Sequence, residues 1–119
     1  FVNISQYRTQ QIMLERLQRI GSRHDLVIAV FGHAGDGNLH PNILADKRDP
    51  EQMGRVEAAV SDIFAAALEL GGTLSGEHGI GMTKARFLKE ALPGETLDLM
   101  KGIKDVFDPR GILNPGKIF

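Results

Sequence analysis

The dipeptide Asp36-Gly37 lies between two strand-length apolar runs, Leu26 to Phe31 and Leu39 to Ala45, and constrains the fold more than any other feature of the sequence. Asp-Gly in such a setting is a strong signal for a two-residue hairpin, because both central positions of a type I′ turn need positive φ. A hairpin centred there pairs Gly35 with Asn38, Ala34 with Leu39, and His33 with His40. The two imidazoles are then expected opposite each other on one face, with Cβ atoms about 4.5 to 5.5 Å apart. Leu26 to Phe31 is apolar throughout, so it reads as a buried strand.

Helical spacing surrounds this hairpin. From Ser5 to Ile20, Tyr7, Met13, Leu14, Leu17 and Ile20 share one side, and Gly21 is the expected stop. Asp49 reads as an N-cap, with Pro50 at N1 and Gln52 as capping-box partner. The helix that follows carries Met53, Val56, Val60, Ile63, Phe64 and Ala67 inward and ends at Gly71-Gly72. Thr73 to Ser75 is expected to be extended and Thr83 to Leu92 helical. A last helix presents Leu97, Met100, Ile103 and Phe107 on one face before the turn Asp108-Pro109-Arg110-Gly111. This order predicts an α+β fold, a small antiparallel sheet covered by helices. If the whole domain has more strands than these, one sheet edge is expected to be left bare here and to invite pairing with another chain. The 119 residues suffice for one domain and are too few for a second, dinucleotide-binding one. Opening on Phe1, the chain is expected to be part of a longer polypeptide.

Composition narrows the function. Fourteen basic against fifteen acidic side chains give a net charge of -1, with no basic stripe, so no nucleic-acid partner is expected. The chain has no cysteine, which leaves histidines and carboxylates as the only side chains suited to hold a transition metal. That composition is compatible with a reducing compartment, and a cytoplasmic location is expected. No apolar run is long enough for a transmembrane segment, although a targeting signal could precede Phe1.

Two segments carry the chemistry. In Gly32-His33-Ala34-Gly35-Asp36-Gly37-Asn38-Leu39-His40, the two histidines could share one metal ion, or stand idle beside an exposed turn. Gly32, Gly35 and Gly37 strip side chains from that turn, as close approach of a ligand or cofactor would require. In Ser75-Gly76-Glu77-His78-Gly79-Ile80-Gly81, Glu77 could complete a set of two histidines and one carboxylate, or be an incidental acid in a glycine-rich loop. Neighbours along an extended segment point to opposite sides, which would keep His78 off the ion and free to act as a base. His24, in the polar connection Ser22 to Asp25, is given no role.

Three stretches resemble a known family: Gly32 to Asn42, Ser75 to Gly81, and Phe107-Asp108-Pro109-Arg110-Gly111-Ile112-Leu113-Asn114-Pro115-Gly116-Lys117. Together they resemble the C-terminal domain of FAD-linked oxidases related to vanillyl-alcohol oxidase. The matching branch contains the glycolate oxidase FAD subunit, D-lactate dehydrogenase and D-2-hydroxyglutarate dehydrogenase. The resemblance implies that His33, His40 and Glu77 hold a divalent metal, usually zinc, with manganese or iron as substitutes. It implies that His78 is the general base, that Asn42 lies near the substrate, and that Asn114 belongs to a motif returning toward the flavin. The implied reaction oxidises a small 2-hydroxy acid to a 2-oxo acid with hydride transfer to FAD. That cofactor would be bound mainly by a domain or subunit absent from this chain, so the isolated piece is expected to be inactive. The implied fold is ferredoxin-like, with this chain as the later part of a substrate domain. Two rival readings stand beside it: a stand-alone metal- or ligand-binding module without redox activity, and an interaction domain that forms a homodimer through its sheet edge.

Overall fold

The computed structural model describes residues 2–119. They form two compact units, residues 2–78 and 79–119. The first contains a three-stranded antiparallel sheet of strand order β1-β3-β2, with β1 at Val2–Asn3, β2 at Val27–His33 and β3 at Asn38–Leu44. Helix α1, Tyr7–Arg23, and helix α2, Pro50–Glu69, complete this unit. The expected α+β architecture, a small antiparallel sheet with helices, is the one observed. β1 is a strand that hydrophobic patterning could not reveal, since two residues show no period.

The core is built by alternation and helical spacing. Val2, Ile4, Met13, Leu17, Leu39, Ala59, Ile63, Phe64, Ala67 and Leu74 are buried. On α1 the expected apolar side is only partly inward: Met13, Leu17 and Ile20 are buried, whereas Tyr7 and Leu14 are exposed. Gln10 is buried in their place, its side-chain amide donating to Ala34 O at 3.1 Å. Gly21 does not stop α1, which runs two residues further. The glycine is instead where the helix meets the chain entering β2, and an added Cβ would fall 2.8 Å from Leu26 O. Asp25, at φ 52, supplies the left-handed residue, with Leu26 N–H donating to Gly21 O and Asp25 N–H to Ser22 O.

α2 opens as expected, with the Asp49 carboxylate accepting from the amides of Glu51 and Gln52 at 3.0 and 3.1 Å. Gln52, however, does not close a capping box on Asp49. Its Oε1 accepts from Asp46 N at 2.6 Å, while the Asp49 amide that a capping box would use donates to Asp46 O at 3.1 Å. Gly71, at φ 71, and Gly72 end the helix through bonds to Leu68 O and Ala67 O. Thr73 then pairs with Asn3, extending the row of chains beside β1.

The expectation of a buried β2 is not met. β2 is last in the strand order, and Val27 and Phe31 are 64% and 63% exposed. The alternate residues Ile28 and Val30 are half-buried, and Ile28 meets α1 near Gly21. A continuous apolar run signals apolar contact on both faces, yet within this unit only one face of β2 is covered.

In the second unit, a 3₁₀ turn at Ala85–Phe87 leads into the short helix α3, Leu88–Ala91, and then α4, Gly94–Phe107. The long helix expected from Thr83 to Leu92 is thus reduced to two short pieces. On α4, Leu97 and Met100 are half-buried, while Ile103 and Phe107 are exposed, so the expected apolar face is only partly covered. Among the described residues, no helix is long and apolar enough to cross a membrane.

Candidate metal centre

The hairpin differs from its expected form in a way that matters for the histidines. His33 pairs with Asn38, and His40 pairs with Phe31. The loop therefore spans Ala34 to Gly37, with Asp36 N–H donating to His33 O at 3.1 Å. Within it Gly37 has positive φ, at 69°, and Asp36 does not, which rules out a type I′ turn at Asp36-Gly37. Four-residue hairpin loops are commonly built this way, around a type I turn. Residues distant in sequence hold the loop: Asn3 Nδ2 donates to Asp36 O at 2.9 Å, and Ile4 N–H to Gly37 O at 2.7 Å.

His33 and His40 are consequently diagonal neighbours rather than direct partners. The partner of His33 is displaced by two residues, an even number, so strand alternation keeps both imidazoles on one face. Their ring centroids are 5.4 Å apart, edge to face. The Phe31 ring stands 5.1 Å from that of His40.

Glu77 reaches the same face from the segment after Thr73. One ligand atom each from His33, His40 and Glu77 lie within 4.8 Å of one another. His40 Nε2 is 3.3 Å from Glu77 Oε1, and His78 Nε2 is 3.6 Å from the same oxygen. His78 is therefore not turned to the opposite side from Glu77, as an extended segment would require. Residues 76–78 bend, which breaks the strict alternation. His40 is only 8% exposed. Its burial lowers the imidazole pKa, Glu77 opposes this, and His33 and His78 add to the lowering. The neutral ring, which offers a lone pair to a metal, is thereby favoured.

The donor set fits a divalent cation. Ligand atoms about 2.0 to 2.2 Å from a tetrahedral ion stand about 3.4 Å from one another. The His40–Glu77 separation already matches this, and the side chains of His33 and Glu77 are exposed enough to close the remainder by torsion.

Asn42 is exposed on β3 opposite Ala29, two residues beyond His40 and on its face, with Nδ2 donating to His40 O at 3.0 Å. Asn114 lies in the second unit, at φ 48, its carbonyl accepting from Lys117 N–H. Three polar residues to which the sequence reading gave no part in a site have defined places in the structure. Asn38 is buried on the face of the histidines, and alternation with His40 was the available signal. His24 Nε2 lies 2.8 Å from Asp62 Oδ2, joining the end of α1 to α2. In the second unit, buried Asp108 accepts from the amides of Ile112 and Leu113 and from Lys104 Nζ. The spacing of Asp108 and Gly111 as first and last residues of a turn was its only sequence signal.

A family model described as FAD linked oxidases, C-terminal domain, matches residues 9–118. The glycolate oxidase subunit GlcD of Bacillus subtilis is 51% identical over 107 residues, covering 90% of this chain and 23% of that protein. D-2-hydroxyglutarate dehydrogenase of Stutzerimonas stutzeri is 42% identical over 110 residues, covering 89% of this chain and 24% of its own length. D-lactate dehydrogenase of Anaerostipes hadrus is 46% identical over 95 residues, covering 79% and 20%. The chain thus spans a quarter or less of the length of these relatives.

Proposed function

Since this chain belongs to the family of FAD linked oxidases, C-terminal domain, we propose that it is the metal- and substrate-binding part of an FAD-dependent 2-hydroxyacid dehydrogenase. The observation that carries the reading is the convergence of His33, His40 and Glu77, brought from a hairpin and a separate loop to within 4.8 Å. Two imidazoles and one carboxylate suit zinc, manganese or iron and leave coordination positions for a substrate. The relatives named for glycolate, D-lactate and D-2-hydroxyglutarate support a small 2-hydroxy acid as that substrate.

In this reading the bound groups would supply two things, acidification of the substrate hydroxyl by the cation and acceptance of a hydride by FAD. The rest falls to the chain's own residues. His78, with a half-exposed ring beside Glu77, accepts the hydroxyl proton. Asn42, on the face of His40, offers amide hydrogen bonds to the substrate. Loss of one proton and one hydride converts the hydroxy acid to the oxo acid, so the atoms and electrons balance. Asn114 is proposed to face the flavin, which the remainder of the polypeptide or a partner subunit would bind.

Metal analysis of the purified protein and of His33→Ala, His40→Ala and Glu77→Ala tests the site: stoichiometry unchanged in all three removes it. In the complete FAD-loaded polypeptide, His78→Ala is expected to lose hydroxyacid oxidation while retaining FAD. Pairing of a second copy along β2 and a cytoplasmic location belong to the same reading; a concentration-independent monomer in sedimentation would remove the former.

A further inference from the structure

Asn38 is a buried polar residue on the sheet face of the two histidines. It is 4% exposed, and its Oδ1 is buried without a hydrogen-bond partner among the described residues. Its backbone is occupied in the ladder, between Asn3 on one side and His33 on the other. Direct pairing with His33 and alternation with His40 set its side chain on the sheet face that carries both imidazoles. The segment leading to Glu77 lies against it: an added Cβ at Gly76 would fall 2.7 Å from Asn38 Cγ and closer still to Oδ1. Glycine at position 76 thus leaves room for this amide immediately before the carboxylate of the metal set. Ser75 Oγ, one residue earlier, is likewise buried without a partner among the described residues.

An unsatisfied buried acceptor is destabilising, and a leucine of nearly the same shape would remove that burden. A buried acceptor without a donor at such a place points to a donor that arrives with a ligand. We propose that Asn38 is a further binding residue of this centre, its amide oxygen accepting a hydrogen bond from an O–H group that occupies the cation pocket. This inference rests on the cation reading above and deepens it. The O–H group has two sources, water accompanying the cation and the hydroxyl of a 2-hydroxy acid. Both are donors matched to an acceptor that has none. Hydrogen bonds of this outer kind typically contribute about 10- to 100-fold to metal affinity.

The test uses the purified protein with Mn²⁺ and with Zn²⁺, measuring Kd by calorimetry and metal-free stability by thermal unfolding, with His40→Ala as the control that should abolish binding. Asn38→Leu is expected to keep or raise the metal-free melting temperature while weakening Mn²⁺ binding at least about tenfold. A Kd within twofold of the parent overturns the inference. If Asn38→Leu is destabilised, Asn38→Asp decides. That variant keeps the acceptor and adds charge, so tighter binding supports the inference, and unchanged or weaker binding overturns it. Repeating the titration with glycolate present separates the two sources. A larger Asn38→Leu effect with glycolate assigns the bond to the substrate hydroxyl, and an equal effect assigns it to water. Should the parent itself bind neither metal, the cation reading fails and this inference falls with it, an outcome distinct from a parent that binds and a variant that binds equally.

Discussion

His40 Nε2 stands 3.3 Å from Glu77 Oε1, a contact between a buried strand imidazole and a carboxylate delivered by a distant loop. Burial pulls the His40 pKa below its ordinary 6.5 and Glu77 pushes it back. Replacing Glu77 by Gln removes the opposing influence, so the His40 titration followed by NMR in metal-free protein should move further down. An unchanged titration would mean that the carboxylate does not act on this ring. The stability consequence follows from proton binding. A histidine with a depressed folded pKa contributes stability that is present above 6.5 and is lost as pH falls through the folded value. Metal-free protein should therefore lose stability as the solution is acidified below 6.5, and His40→Gln should flatten that part of the profile.

Gly37→Ala should be among the most damaging small substitutions in the first unit. At φ 69 a side chain is strained, and its Cβ would press on the Ile4 carbonyl, 2.6 Å from the carbonyl carbon. A loss of about 2 kcal/mol or more in denaturant unfolding is expected, together with weaker metal binding because the loop sets the positions of both histidines. A stable variant with unaltered metal affinity would show that the loop does not govern the site.

Asp25→Gly should stabilise the protein. Asp25 holds a left-handed conformation at φ 52 at the end of α1, where glycine meets no Cβ penalty. After the entropy that glycine adds to the unfolded chain, a net gain of about 0.5 kcal/mol is expected in chemical denaturation. A loss would mean that the carboxylate makes a contribution larger than the backbone strain.

In the second unit, Asp108→Ala should release the C-terminal turn. The carboxylate holds Lys104 Nζ at 2.7 Å and the amides of Ile112 and Leu113 at 2.9 Å each. Hydrogen exchange at those two amides should quicken at least about tenfold in the variant. Lys104 is the main cause of the lowered Asp108 pKa, so in the parent this protection is present above 3.8 and lost as acid takes the group through its folded pKa. Unchanged exchange at both amides would show that the turn is held by other contacts.

Much of this protein was readable from residue order. The two longer strands β2 and β3, the Asp49 cap, the buried Ile63, Phe64 and Ala67 of α2 and the placing of both histidines on one face of the hairpin all depend on local chemistry and alternation. These signals act over a few residues, so the sequence displays them directly. The three motifs likewise indicated His33, His40 and Glu77 as one set.

What only the tertiary structure decided was register, exposure and convergence. The hairpin loop lengthened because Asn3, Ile4 and Gln10 bond to it from outside, and a turn signal knows nothing of such partners. β2 kept an open apolar face because α1 packs against the side that carries Ile28 and leaves Val27 and Phe31 on the other, a matter of layering that composition does not show. Glu77 met His40 because Thr73 pairs with Asn3 and Gly76 passes over Asn38. Those contacts join residues far apart along the chain, and their geometry is fixed only when the whole unit packs.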